Sequence, residues 1–75
     1  MKSLIETIVE PLVDHPADIV VTEREEENKI VYHLEVHEND VGKVIGKNGR
    51  IAKSIRTVVY AAGMKSNKKI YLDIM

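Results

Sequence analysis

The sequence predicts an α+β fold in one domain of residues 1–75, with the order helix, strand, strand, helix, helix, strand. Apolar residues recur at helical spacing in residues 4–12 and again in residues 51–62. Residues 19–22 are a β-branched run, and residues 30–36 and 70–74 alternate side chains with the period of a half-buried strand. A chain of 75 residues can bury one modest core, and no linker or repeat divides it.

The first helix is expected to begin near Ser3, because Ser3 and Glu6 have the spacing of a capping box. Its apolar positions then follow at intervals of one helical turn: Leu4, Ile5, Ile8, Val9 and Leu12. Pro11 lies inside this pattern, where it removes a backbone hydrogen bond, so we expect a kink or an early end there. The helix must end before Pro16, because the residue before a proline is biased away from helical geometry.

Two strands joined by a polar hairpin loop are expected next. The first covers residues 19–22, and the loop is the run Glu-Glu-Glu-Asn of residues 25–28. The inward positions of the second strand are Ile30, Tyr32, Leu34 and Val36. A third strand follows a basic connector and presents Ile70, Leu72 and Ile74. Since each strand has one apolar face, we expect a three-stranded sheet with the helices packed on one side.

The two remaining helices flank a glycine turn. Residues 38–40, Glu-Asn-Asp, offer N-cap candidates for a short helix of residues 41–45. The last helix starts at Arg50, and we expect its apolar stripe to face the core: Ile51, Ile55, Val58, Val59 and Ala62. Gly63 follows the stripe and is expected to end the helix as its C′ residue.

The charge is strongly segregated along the chain, although the net charge is only −1. Residues 1–40 contain eleven acidic and three basic residues, whereas residues 41–69 contain eight basic residues and no acidic one. A polyanion that approaches the second segment therefore meets a positive field that the overall charge conceals.

Several functional classes are excluded or disfavoured by composition. The chain has no cysteine, so disulfides and thiolate metal sites are absent, and we expect a cytoplasmic protein with no membrane segment and no signal peptide. His33 and His37 do not suggest a metal site, because four residues along a strand separate them by about 13 Å. No nucleophile and base are arranged as in an enzyme. We therefore expect no catalytic residues, no metal and no cofactor.

The turn Gly46-Lys47-Asn48-Gly49 is the feature most suggestive of function. It is tight and positively charged, and it precedes a helix whose free N–H groups favour an anion. It is not a nucleotide-binding P-loop, because Gly42 and Gly46 enclose three residues rather than four and Asn48 replaces the magnesium-binding Ser or Thr. Two interpretations remain: a loop that clamps single-stranded nucleic acid backbone, and a helix-turn-helix that binds DNA.

The segment Val44-Ile45-Gly46-x-x-Gly49 resembles the signature of KH domains, with Ile51 two rather than three positions after the second glycine. The order of elements is similar to the type II KH arrangement. Over essentially its full length, and above all in residues 40–50 and 55–57, the chain resembles the small bacterial KhpA (YlqC) family of RNA-binding proteins. This resemblance implies a single type II KH domain that binds single-stranded RNA.

The resemblance also implies a set of RNA-binding residues. Gly46 and Gly49 would let phosphates approach, Lys47 and Asn48 would form the loop tip, and three further cations would contact phosphates. Val44, Ile45 and Ile51 would pack behind the groove or line it. The full set is Lys43, Val44, Ile45, Gly46, Lys47, Asn48, Gly49, Arg50, Ile51 and Lys53.

The family further implies homodimers, a complex with a larger KhpB (Jag-like) protein, and a role as an RNA chaperone that affects gene expression, cell-wall synthesis and cell shape. A groove for about four nucleotides binds weakly alone, so pairing of domains would supply affinity. The competing expectation is an interaction module, in which the same fold serves mainly for dimerisation and for docking a partner protein.

Overall fold

The computed structural model describes residues 1–74, so Met75, the last residue of the expected domain, lies outside the described residues. The helices are α1 (Lys2–Val9), α2 (Val41–Ile45) and α3 (Arg50–Ala62), and the strands are β1 (Val20–Glu25), β2 (Lys29–Glu35) and β3 (Lys69–Ile74). Single 3-10 turns occur at Glu10–Leu12, Pro16–Asp18, Glu38–Asp40 and Lys47–Gly49. The predicted order of elements is confirmed.

The three strands form one mixed sheet in the order β1-β2-β3. β1 pairs antiparallel with β2, and β2 pairs parallel with β3, with Tyr32 opposite Leu72. A parallel pair needs a long crossover, and here α2, the glycine turn and α3 supply it. The sequence order thus places the turn between two helices that lie over the sheet.

One face of the sheet carries the core, as the strand periodicity predicted. The sheet contributes Val21, Tyr32, Leu34 and Leu72, and the helices contribute Ile5, Val9, Val44, Ile55 and Val59, all buried. Burying a side chain of this size contributes about 1.5–3 kcal/mol. With so few large side chains available, the orientation of each helix depends on a small number of contacts.

The open edge of β3 is covered at Leu72 by two side chains of α3. Arg56 donates from Nε to the carbonyl of Leu72 at 3.2 Å, and the Tyr60 hydroxyl accepts the N–H of Leu72 at 3.4 Å. An unpaired strand edge is a template for aggregation, and covering its polar groups removes that template at this residue.

Two details of the first half differ from expectation, the start of α1 and the bounds of β1, and the expected effect of Pro11 is confirmed. The predicted capping box is wrong: α1 begins at Lys2, its N-cap is Met1, and no side chain caps it. Pro11 does end α1 early, because the chain passes into a 3-10 turn with the proline at its start. β1 begins at Val20 and continues to Glu25, so the hairpin loop is shorter than expected, at residues 26–28. Pairing with β2 extends the strand through its charged residues.

The predicted core stripe of α3 is wrong at two positions. Val58 is 49% exposed and Ala62 is exposed, whereas Ala52 is buried. Only the narrow row of Ala52, Ile55 and Val59 is buried, and Ile51 lies partly buried beside it. Periodicity identified the apolar side of the helix, but tertiary packing selected which row of that side is covered.

Gly63 ends α3 as predicted, but for a different reason. Its φ is −87°, so it does not adopt the left-handed conformation of a C′ glycine. A Cβ at this position would lie 2.6 Å from Cγ1 of Ile70. Glycine is therefore required here for space, where α3 meets the start of β3. No helix in residues 1–74 has the length and apolar character needed to cross a membrane.

Candidate nucleic-acid interface

The glycine turn contains three residues with positive φ: Gly46 at 75°, Asn48 at 59° and Gly49 at 74°. Such angles suit glycine and are tolerated by asparagine better than by most residues. The sequence Gly-Lys-Asn-Gly thus places residue types that accept this backbone at all three positions where positive φ occurs. The result is a tight 3-10 turn of Lys47–Gly49 between α2 and α3.

The two glycines are required for different physical reasons. At Gly46, with ψ of 177°, the backbone lies in a region that is almost exclusive to glycine, and a Cβ would lie 2.5 Å from Cγ1 of Ile51. At Gly49 a Cβ would meet nothing within 4 Å. Gly46 therefore packs against the next helix, while Gly49 leaves the surface of the turn open to an approaching group.

α2 brings the chain into the turn. Val44 is 0% exposed and fixes this short helix on the core, and the N–H of Gly46 donates to the carbonyl of Gly42 at 2.8 Å. Ile45 and Ile51 are partly buried on either side of the turn. Of the three apolar residues predicted for the site, Val44 lies behind the surface, and Ile45 and Ile51 remain accessible in part.

Lys43 lies apart from the other predicted cations. Its ammonium group forms ion pairs with the carboxylates of Asp14 and Asp40. The hydrogen bond to Asp14 is the main reason that the pKa of Lys43 is raised above its usual value. Charge on Lys43 is thus engaged within the protein rather than directed at the glycine turn.

Lys47, Arg50 and Lys53 are exposed, and in residues 1–74 none of them forms an ion pair. Arg50 and Lys53 are three positions apart in the first turn of α3, so they lie on the same side of the helix. Lys47 precedes them in the glycine turn. The structure therefore brings three unpaired cations to the N-terminal end of α3, where backbone N–H groups also favour an anion.

Asp40 is the N-cap residue of α2, as predicted, but its side chain has a different role. It precedes α2, but its side chain makes no cap to that helix. The carboxylate is fully buried, and Oδ2 accepts the backbone N–H of His15 at 2.9 Å. Burial alone would raise the pKa of Asp40, but the N–H groups of Asp14 and His15, with Lys43 nearby, lower it below the usual value.

One histidine contact was missed by sequence reasoning. His15, Asp18 and His37 each bring a potential metal-ligand atom within 4.8 Å of the others. However, the two imidazole rings stack at 4.1 Å with an angle of 27°, so a single ion cannot lie near both ring planes. His37 Nδ1 also accepts the N–H of Asn39 at 3.0 Å. In this arrangement the three side chains pack together rather than converge on a metal.

A short helix, a left-handed glycine turn and a longer helix, crossing over a three-stranded mixed sheet, define the fold around the site. The family profile described as KhpA/KhpB, KH domain, matches residues 2–74. The chain belongs to the KhpA/KhpB family of KH domains. Within this family fold, both glycines of the turn have a structural role, which they would lack in the helix-turn-helix interpretation.

Curated members of the KhpA family are similar to the chain over its full length. A protein of Oceanobacillus iheyensis is 69% identical over 75 residues, covering 100% of both chains. A protein of Listeria monocytogenes is 56% identical over 100% of this chain and 99% of its own. One of Bacillus subtilis is 55% identical over 99% of this chain and 91% of its own. All three carry the name RNA-binding protein KhpA, which describes binding and not catalysis.

We expect Gly46→Ala to destabilise the protein more than Gly49→Ala. The first change forces both a glycine-only conformation and a collision with Ile51, together costing about 3 kcal/mol or more. The second imposes only a left-handed backbone, costing about 1–2 kcal/mol. Urea unfolding of both variants measures the difference, with Asn48→Gly as the control that keeps the turn conformation. Equal losses at the two glycines would contradict the packing role of Gly46.

Proposed function

We propose that the chain is a cytoplasmic protein that binds single-stranded RNA through the sugar-phosphate backbone at the turn Gly46-Lys47-Asn48-Gly49. The observation that carries this proposal is the combination of an open left-handed glycine turn with three unpaired cations at the start of α3. The RNA-binding name of full-length relatives supports the same assignment.

Shape supports the proposal first. The space beyond the α-carbon of Gly49 is empty to 4 Å, so a phosphate can come closer to the main chain than any side chain at this position would permit. The start of α3 follows directly, and helix N-termini attract anions through their free N–H groups. Both features bind a phosphate without reading the base.

Charge supports it second. Arg50 carries a planar group that can contact two phosphate oxygens at once, while Lys47 and Lys53 act as point charges. The acidic side chains that pair with lysines of the second half do so away from the turn: Asp14 and Asp40 pair with Lys43, and Glu25 pairs with Lys68 at 2.8 Å. We infer that phosphate contacts come from three cations, one fewer than the sequence suggested, and that sequence preference is modest.

Pairing of domains forms part of the proposal. A groove for about four nucleotides binds weakly, and two grooves on one strand raise the effective affinity. The family description joins KhpA with KhpB. We therefore propose homodimers, a complex with a KhpB (Jag-like) protein, and an RNA-chaperone role that affects gene expression and cell shape.

Changing Lys47 and Asn48 together to Asp should abolish RNA binding and leave the fold intact. Both residues are exposed, so unfolding free energy should change by less than about 1 kcal/mol. The substitution replaces one positive charge by two negative ones where phosphates must pass, so attraction becomes repulsion. Fluorescence anisotropy with a labelled polypyrimidine RNA measures binding, and circular dichroism controls for folding. If the folded variant binds RNA with parental affinity, the turn does not bind RNA, and docking of a partner protein becomes the favoured function.

The dependence of RNA affinity on salt should count the phosphate contacts. Three contacts on a single strand predict a log–log slope of roughly −2.1, or about an eighteenfold loss between 50 and 200 mM salt. Lys47→Gln should reduce the slope to about −1.4, whereas Lys43→Gln should leave it unchanged, because Lys43 is already paired. If the parent has a slope of about −2.8 and Lys43→Gln has a shallower one, Lys43 makes a fourth phosphate contact. A slope near zero would rule out the electrostatic groove.

Sedimentation at micromolar protein concentration should show about twice the monomer mass, because avidity requires two grooves on one strand. The variant with Asp at positions 47 and 48 is the matched control: it should sediment like the parent although it no longer binds RNA. If the parent remains monomeric at high concentration, the homodimer is contradicted, and avidity must come from a different protein partner.

A further inference from the structure

The glycine turn owes its position to α2, and α2 has only five residues, Val41–Ile45. A helix of little more than one turn is unstable by itself, so its direction must come from tertiary contacts. Val44 anchors its middle in the core and Gly46 rests against Ile51 at its end. At the N-terminal end Val41 is partly buried against the core, but apolar contacts are not directional, so a hydrogen bond there supplies a constraint that packing lacks.

That end is fixed by Asp40, which has 0% exposure. Its Oδ2 accepts the N–H of His15 at 2.9 Å, across 25 residues of sequence. His15 belongs to the connection between α1 and β1, residues 10–19. The carboxylate therefore does not cap α2 but joins this helix to a separate part of the chain.

Two further contacts lie at this junction between α2 and the α1–β1 connection. Oδ1 of Asp40 has no hydrogen bond in the described structure and lies 3.5 Å from the ammonium of Lys43, which also pairs with Asp14. On the outer side, the rings of His15 and His37 stack with centroids 4.1 Å apart. On both sides, residues of the α1–β1 connection thus contact residues of α2 or of the segment that leads into it.

We propose that Asp40 is the positioning residue of the RNA-binding turn: by joining α2 to the α1–β1 connection, it sets the direction in which the helix presents Gly46–Gly49 to the RNA. Asp40 does not contact RNA in this role, because it is buried. The inference rests on the proposed function, since its consequence is measured as RNA affinity.

Three substitutions of Asp40 distinguish its effect on the position of α2 from the effect of its charge. Asp40→Asn keeps the length and an acceptor oxygen for the N–H of His15 but loses the charge. Asp40→Glu keeps the charge but is longer by one methylene, so it displaces α2 from the connection. Asp40→Ala removes the contact between α2 and the α1–β1 connection and leaves the N–H of His15 without this acceptor. If Asp40 acts by position, the loss of RNA affinity should increase in the order Asn, Glu, Ala.

We expect Asp40→Ala to bind the polypyrimidine RNA about tenfold more weakly than the parent, and Asp40→Asn to stay within about threefold of it. Val59→Ala is the matched control, since it removes buried methyl groups at the far end of α3 and should lower stability without weakening binding. Amide hydrogen exchange in the free protein should accelerate at Gly46 and Gly49, whose N–H groups are hydrogen-bonded, in the Glu and Ala variants and not selectively in Val59→Ala.

The outcomes are decisive in each direction. Parental affinity in folded Asp40→Ala, or an equal loss in Val59→Ala, would overturn the inference. If Asp40→Ala does not fold, the Asn and Glu variants decide it: parental binding by Glu with weakened binding by Asn would show that charge, not position, matters. The double variant Lys47→Asp/Asn48→Asp tests the proposed function separately. If that function is wrong, this variant binds RNA like the parent.

Discussion

The direction of a helix too short to be stable alone is the constraint on which the candidate site depends. α2 ends in the glycine turn, so any rotation of this helix moves the turn away from the cations of α3. Apolar packing of Val41, Val44 and Ile45 on the core opposes that rotation, and so do Gly46 against Ile51 and the buried carboxylate of Asp40 on the N–H of His15.

The use of a buried charge is notable in a domain of this size. Removing a carboxylate from water is unfavourable unless hydrogen bonds and a counter-charge compensate. Asp40 has backbone N–H groups and Lys43 around it, and the pKa of its carboxylate, which burial alone would raise, is held below the usual range by these groups. Such a group specifies one arrangement of two chain segments, because an alternative packing would leave the charge without partners.

The segregation of charge along the chain acquires its meaning only in the folded protein. Acidic residues of the first half neutralise two of the eight cations of the second half, at Lys43 and Lys68. The cations nearest the turn, Lys47, Arg50 and Lys53, stay unpaired in the described part of the chain. Folding therefore leaves these three unpaired cations together at the N-terminal end of α3, where the backbone already favours anions, while Lys65 and Lys69, also without an ion pair in residues 1–74, lie beyond the other end.

The sequence alone determined the α+β order, the bounds of α2 and α3 and the glycine turn, because all of these depend on local properties: side-chain periodicity, glycine content and β-branching. The tertiary structure decided which row of α3 is covered, so that Ala52 is buried and Val58 is exposed. It also decided that Lys43 is paired and that Asp40 and His15 meet across 25 residues. These contacts join segments distant in sequence, and no local pattern encodes which pairs of segments will meet.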